Sequence, residues 1–155
     1  MLDQFLEAWN TNNRINLVLI DKISTAGMKS TLSKRGGRDV AAQFAHMHNN
    51  RVWHLEKRAK DLAEDLVIFA TKTSPSKVAL KNALKTSAKA IGHFMQDLSD
   101  GKPKRRGFKK GLPTTLAYFV AHESHHRGSI LLTLKECGHK LDNSTSYGIW
   151  DWDRI

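Results

Sequence analysis

The chain has 155 residues, of which 40% are hydrophobic and 26% are charged, a composition typical of a folded globular protein and not of a disordered one. No apolar run approaches the roughly 18 residues of a membrane span, and the single cysteine excludes an internal disulfide. The formal net charge of +10 is compatible with nucleic acid, an acidic membrane face or anionic small molecules as partners. We expect one soluble domain over residues 1–155, with no signal peptide and a cytoplasmic location.

Apolar residues recur at helical spacing in four long segments of the chain. The predicted helices cover residues 2–24, about 39–60, 74–100 and 112–137, with a shorter turn or helical piece at 62–70. Ser74 before Pro75 is a favourable start for the third helix, because serine caps a helix and proline fits its first turn. The predicted fold is therefore all-α: a four-helix bundle with long connections and an aromatic C-terminal tail, residues 147–152, packed on it.

A basic connection separates the third and fourth predicted helices. Residues 101–111 contain six lysines and arginines together with glycine and proline, which indicates a loop. A solvated linker is the favoured interpretation. Nucleic-acid binding is the weaker alternative, because Phe108 is the only aromatic residue there that could stack on a base.

The fourth predicted helix contains a histidine pair with the spacing of a metal site. His122 and His126 are four residues apart, which places them on one face of a helix about 5–6 Å from each other. His125 lies about 100° away around the helix and is more suitable as a neighbour than as a ligand. Neutral imidazoles bind zinc, iron, nickel or copper, so this pair predicts two ligands of one ion.

A third ligand would have to come from another helix, and the spacing leaves two histidines of the second helix open. His46 and His48 lie about 200° apart, so they cannot both face one ion. The apolar stripe is centred slightly nearer His48, whereas Asn50 and Trp53 share the face of His46 and would flank a ligand there. His93, near the end of the third helix, is a weaker candidate.

The same stretch also matches the H-E-x-x-H motif of zinc proteases, in which the glutamate acts as general base. The extended form of that motif needs a glycine and a further histidine downstream. This chain has Ser129 and Leu132 at those positions. A protease is therefore the weakest of the metal-dependent functions.

Four stretches spread over nearly the whole chain form a recognisable combination. They are Trp9-Asn10-x-x-Asn13-Arg14, Gln43-Phe44-Ala45-His46-Met47, His122-x-x-x-His126-Arg127-Gly128 and Tyr147-Gly148-Ile149-Trp150-Asp151-Trp152. Together they resemble the DinB-like (damage-inducible) superfamily of metal-binding four-helix bundles. The resemblance implies that His46, His122 and His126 bind one divalent metal ion, most often zinc or nickel, and that the protein forms a homodimer.

The resemblance also implies a function, because some relatives transfer low-molecular-weight thiols to electrophiles or use thiols in isomerisation. Three histidine ligands leave a coordination position open, as in catalytic sites, and a metal ion can deprotonate a thiol there. Glu123, Tyr118 and Arg127 are candidates for proton transfer or substrate binding, although Glu123 can equally face solvent and Arg127 pair with an acid on another helix. The alternative is a metal-binding stress-response protein without catalysis.

Overall fold

The computed structural model describes residues 1–155, which form six α-helices and no β-strand. The helices are α1 (Leu2–Lys22), α2 (Thr25–Met28), α3 (Val40–Arg58), α4 (Lys77–Ser99), α5 (Leu112–Glu136) and α6 (Asn143–Gly148). α1 and α3 each pack against both α4 and α5, which closes the four long helices into a bundle. The predicted all-α bundle is confirmed. None of the helices combines the length and the apolar character needed to cross a bilayer.

Side-chain caps and one tertiary contact explain where the helix boundaries differ from the prediction. α4 begins after Ser76, whose hydroxyl accepts the N–H of Ala79, so the predicted start at Ser74 is two residues early. The turn or helical piece predicted at 62–70 is not a helix: a 3₁₀ turn at Lys60–Leu62 ends where it begins, and a turn at residues 63–65 follows. Farther on, the Asn49 side chain bonds both the N–H and the carbonyl of Phe69, which holds that segment against α3 in place of helical bonding.

The interior contains two apolar clusters with a layer of polar side chains between them. One cluster includes Ile15, Leu19, Phe44, Met47, Leu80, Leu84, Ile130 and Leu134. The other includes Trp9, Val52, Leu55, Ile91, Phe94, Leu116 and Phe119. The buried side chains between the clusters, called the polar layer below, are Asn12, Asn16, His48, Arg51, Ser87, Glu123 and Arg127. Each of the four long helices contributes to this layer, so it crosses the whole bundle.

The basic connection between α4 and α5 is anchored on the bundle at Arg105 and Phe108, while most of its residues are exposed. Its interpretation as a solvated linker is therefore only partly correct. Arg105 pairs with Asp61 through two N–H groups at 2.7 and 2.6 Å and with Asp97 at 2.7 Å. Arg58 donates to two carbonyls of this connection and lies 4.6 Å above the ring of Phe108. Side-chain partners in α3, α4 and the 3₁₀ turn therefore hold the connection in place.

The C-terminal tail packs on the bundle through aliphatic residues. Ile149 is buried in the first apolar cluster, and Ile155 packs against the same cluster. Tyr147 and Trp150 remain 75% and 72% exposed. The tail thus covers the core as expected, but its aromatic side chains do not supply most of the buried surface.

Candidate metal centre

Two neighbouring stripes of α5 have different roles. His122 and His126 form one i,i+4 pair, and Glu123 and Arg127 form the next pair around the helix. The glutamate and the arginine are buried in the polar layer, whereas the two histidines are half-buried. The residue after each histidine therefore points into the bundle and orients α5 so that both imidazoles lie on its side facing α3.

Three imidazoles meet at this place. His46 of α3 joins His122 and His126, and one ring nitrogen from each lies within 4.8 Å of the others. The ring centroids are 5.4 Å apart for His46 and His122, and 4.8 Å apart for the other two pairs. A tetrahedral zinc ion with nitrogen ligands at about 2.0–2.1 Å needs nitrogens about 3.3 Å apart. Small ring movements would bring these side chains to that spacing.

The three imidazoles are in the protonation state that a metal needs. Burial is the main cause that lowers the pKa of each ring, to about 4 for His46 and for His126, and the positive charge of Arg38 lowers all three further. They are therefore neutral at pH 7. A neutral imidazole has a free lone pair for a cation, so proton competition is weak near neutral pH.

The surroundings of the cluster fit a bound cation. Nδ1 of His122 is buried and has no hydrogen-bond partner in the protein, an arrangement that a bound ion would help to compensate. Trp53 contacts the ring of His46 edge-on at a centroid distance of 5.9 Å. Tyr118 stacks on His122 at 6.0 Å with an interplanar angle of 16°. These two aromatic side chains pack against two of the three histidine rings and restrict their movement.

His48 lies away from the cluster and has both nitrogens engaged. The carbonyl of Val67 can only accept, so Nε2 of His48, 2.6 Å away, carries the proton. Nδ1 then accepts from the hydroxyl of Ser87 at 3.0 Å. The ring is fully buried in the polar layer. His48 therefore acts as a core side chain, and it has no free nitrogen for an ion.

Glu123 is the acceptor at the centre of the polar layer. It receives two N–H groups of Arg51 at 2.6 and 2.9 Å and the amides of Asn12 and Asn16 at 2.7 Å each. Burial raises the pKa of Glu123, but the charge and hydrogen bonds of Arg51 and the amide of Asn16 lower it more, so the carboxylate stays ionised. Arg127 donates to Asn16 at 2.9 Å and is also near Glu123. The solvent-facing alternative for Glu123 is wrong.

The remaining candidates lie at the edge of the cluster or outside it. The Tyr118 hydroxyl is 3.0 Å from Nε2 of His54 and accepts from Asn50 at 3.4 Å. Asn50 therefore hydrogen-bonds to Tyr118, and it forms no hydrogen bond with His46. His125 is exposed and touches only the edge of the cluster. His93 is exposed on α4 and takes no part in the cluster.

Arg51 is the buried partner of Glu123 that was not predicted from the sequence. It is fully buried, and its guanidinium lies 4.6 Å from the centroid of the Trp9 ring as well as on Glu123. A signal was present in the sequence, because Arg51 stands four residues from both Met47 and Leu55 in the apolar stripe of α3. A charged residue at such a position needs a buried partner.

A comparison with protein-family models identifies one match, described as the DinB family, over residues 1–150. Neither the curated proteins nor the solved structures contain a significant match to the chain.

Proposed function

The chain belongs to the DinB family, and we propose that it binds one divalent metal ion through His46, His122 and His126 and acts as a metal-dependent thiol S-transferase. The observation that supports the proposal is the approach of three ring nitrogens to within 4.8 Å of one another. Imidazole nitrogens as ligands favour zinc or nickel over magnesium or calcium, which prefer oxygen.

When bound, such an ion would supply an open coordination position at which the pKa of a thiol falls, so that the thiolate becomes available as nucleophile. The residues of the chain have separate tasks around it. Glu123 and Arg127, engaged in the polar layer, hold α5 and are not available to carry protons to a substrate. Tyr118 stacks on the ring of His122 and keeps it in place. Its hydroxyl, which contacts His54 and Asn50, is the remaining candidate for proton transfer to a substrate.

Elemental analysis and a conjugation assay test this proposal together. The purified protein, loaded with zinc or nickel, is assayed for coupling of glutathione or cysteine to a bimane electrophile, before and after treatment with a chelator. We expect about one ion per chain and a rate that disappears with the metal and returns when it is restored. His46→Ala should lose ion and rate, whereas His125→Ala, a matched control from the exposed side of α5, should keep both.

Two outcomes would reject parts of the proposal. Metal binding without any metal-dependent conjugation would reject the transferase and favour the non-catalytic alternative. Full metal occupancy in His46→Ala would reject the ligand set.

A further inference from the structure

A concavity of about 770 Å³ opens next to the histidine cluster. It lies between the start of α3, the connection that precedes α3 and the segment 68–73, and His46 is part of its wall. Trp53 and Phe69 supply aromatic surface to the same wall. Small-molecule sites are typically about 300–1,000 Å³ and mostly apolar with a few polar groups, so both size and lining suit a small organic ligand.

Three cationic side chains around this concavity form no ion pair. Lys29, Arg38 and Lys72 line it, and none of the three side chains forms an ion pair within the chain. Asp39 is the one carboxylate in the lining, and it already accepts the N–H of Ala42 at 2.7 Å as the cap of α3. The three cations outnumber this single carboxylate, so the lining of the concavity has a net positive charge.

We propose that this concavity is the substrate site of the metal centre, and that it selects a small molecule with a carboxylate, held by Arg38, and an apolar part against Trp53 and Phe69. A guanidinium presents two parallel N–H groups that match a carboxylate, while Lys29 and Lys72 add a favourable field. Because His46 belongs both to the histidine cluster and to this wall, a ligand in the concavity would lie beside an ion bound by the cluster. The inference rests on the proposed function for its catalytic meaning, but the binding step requires no metal.

A matched pair of probes isolates the contribution of the charge. We would titrate the full chain, with metal and after chelation, with 3-phenylpropionate and with the uncharged 3-phenylpropionamide, and follow binding by NMR. We expect the carboxylate to bind about ten-fold more tightly, the effect of one charge-assisted hydrogen bond. Arg38→Gln should remove most of this preference, because only the weaker field of Lys29 and Lys72 then remains. Arg35→Gln, which removes the same charge from the same connection but outside the lining, should retain it.

Each result either supports or overturns the inference. Equal binding of the two probes, an unchanged preference in Arg38→Gln, or an equal loss in Arg35→Gln would overturn it. A preference that disappears on chelation would also overturn it, because the carboxylate would then bind the ion and not Arg38. Failure of the proposed function would look different: the protein would bind no metal or show no conjugation, while the preference for the carboxylate persisted in the metal-free chain.

Discussion

Replacing Glu123 by glutamine removes one negative charge from the interior and leaves all its donors in place. The carboxylate accepts four hydrogen bonds, two of them from Arg51, which is fully buried. Glutamine offers one oxygen and an amide nitrogen that would face another donor, so Arg51 keeps a charge without a full partner. Breaking a buried ion pair in this way costs about 3–5 kcal/mol. For a chain of this size, we expect Glu123→Gln to lower Tm by about 6–20 °C.

Thermal unfolding followed by circular dichroism measures this loss, and the double variant Arg51→Met with Glu123→Gln tests its cause. Removing both charges should cost less than the sum of the two single variants, because no buried charge then remains unpaired. The folded-state pKa of Glu123 is lowered, so its contribution is complete at neutral pH and fades as the pH falls below about 4. A drop in Tm under about 2 °C, or additive single variants, would refute this account of the polar layer.

Three further predictions concern single side chains. His46→Ala should lose most of the metal. His48→Ala should keep the metal but have a lower Tm, because the ring of His48 is buried and both of its nitrogens are hydrogen-bonded. Metal content and Tm are measured on the same samples, and the reverse result would identify His48 as the ligand. Arg105→Met should lower Tm by about 3 °C at pH 7, with Lys104→Met as a silent control. The two aspartate partners of Arg105 have lowered pKa values, so the difference in Tm between the unmodified protein and Arg105→Met should become smaller as the pH falls below about 4. A difference in Tm that stays constant with pH would contradict the ion pairs. Tyr118→Ala should weaken metal affinity about ten-fold, while Tyr118→Phe, which keeps the stacked ring, should not. Competition with a coloured chelator measures the metal affinity of both variants, and an equal loss of affinity in the two would show that the hydroxyl is responsible.

The choice between His46 and His48 shows how far local sequence can go. The apolar stripe of α3 correctly indicates that His48 faces the core, where it is fully buried. What excludes it from the cluster is the engagement of both nitrogens by Ser87 and by Val67, which are 39 and 19 residues away. Spacing along one helix contains no information on such distant partners, so the resemblance to the family was the better guide to which histidine joins the cluster.

The long helices and the pair on α5 were predictable because 3.6-residue periodicity and i,i+4 spacing are local properties. The anchoring of the basic connection was not predictable, because it depends on Asp61 and Asp97, which belong to other elements. The charges of the polar layer could have been suspected from their positions within apolar stripes. Their pairing, however, required the packed arrangement of four helices.

The polar layer has a consequence for how long the folded molecule persists. Its hydrogen bonds join Asn12 to Glu123 across 111 residues and Arg51 to Glu123 across 72. Contacts across such separations form only after much of the chain has been brought together, because closing long loops costs entropy first. Interactions that form late in folding act mainly by slowing unfolding. The layer should therefore set the lifetime of the native state and its resistance to proteases that cleave faster than the chain recloses, while the initial rate of bundle formation depends on the apolar clusters.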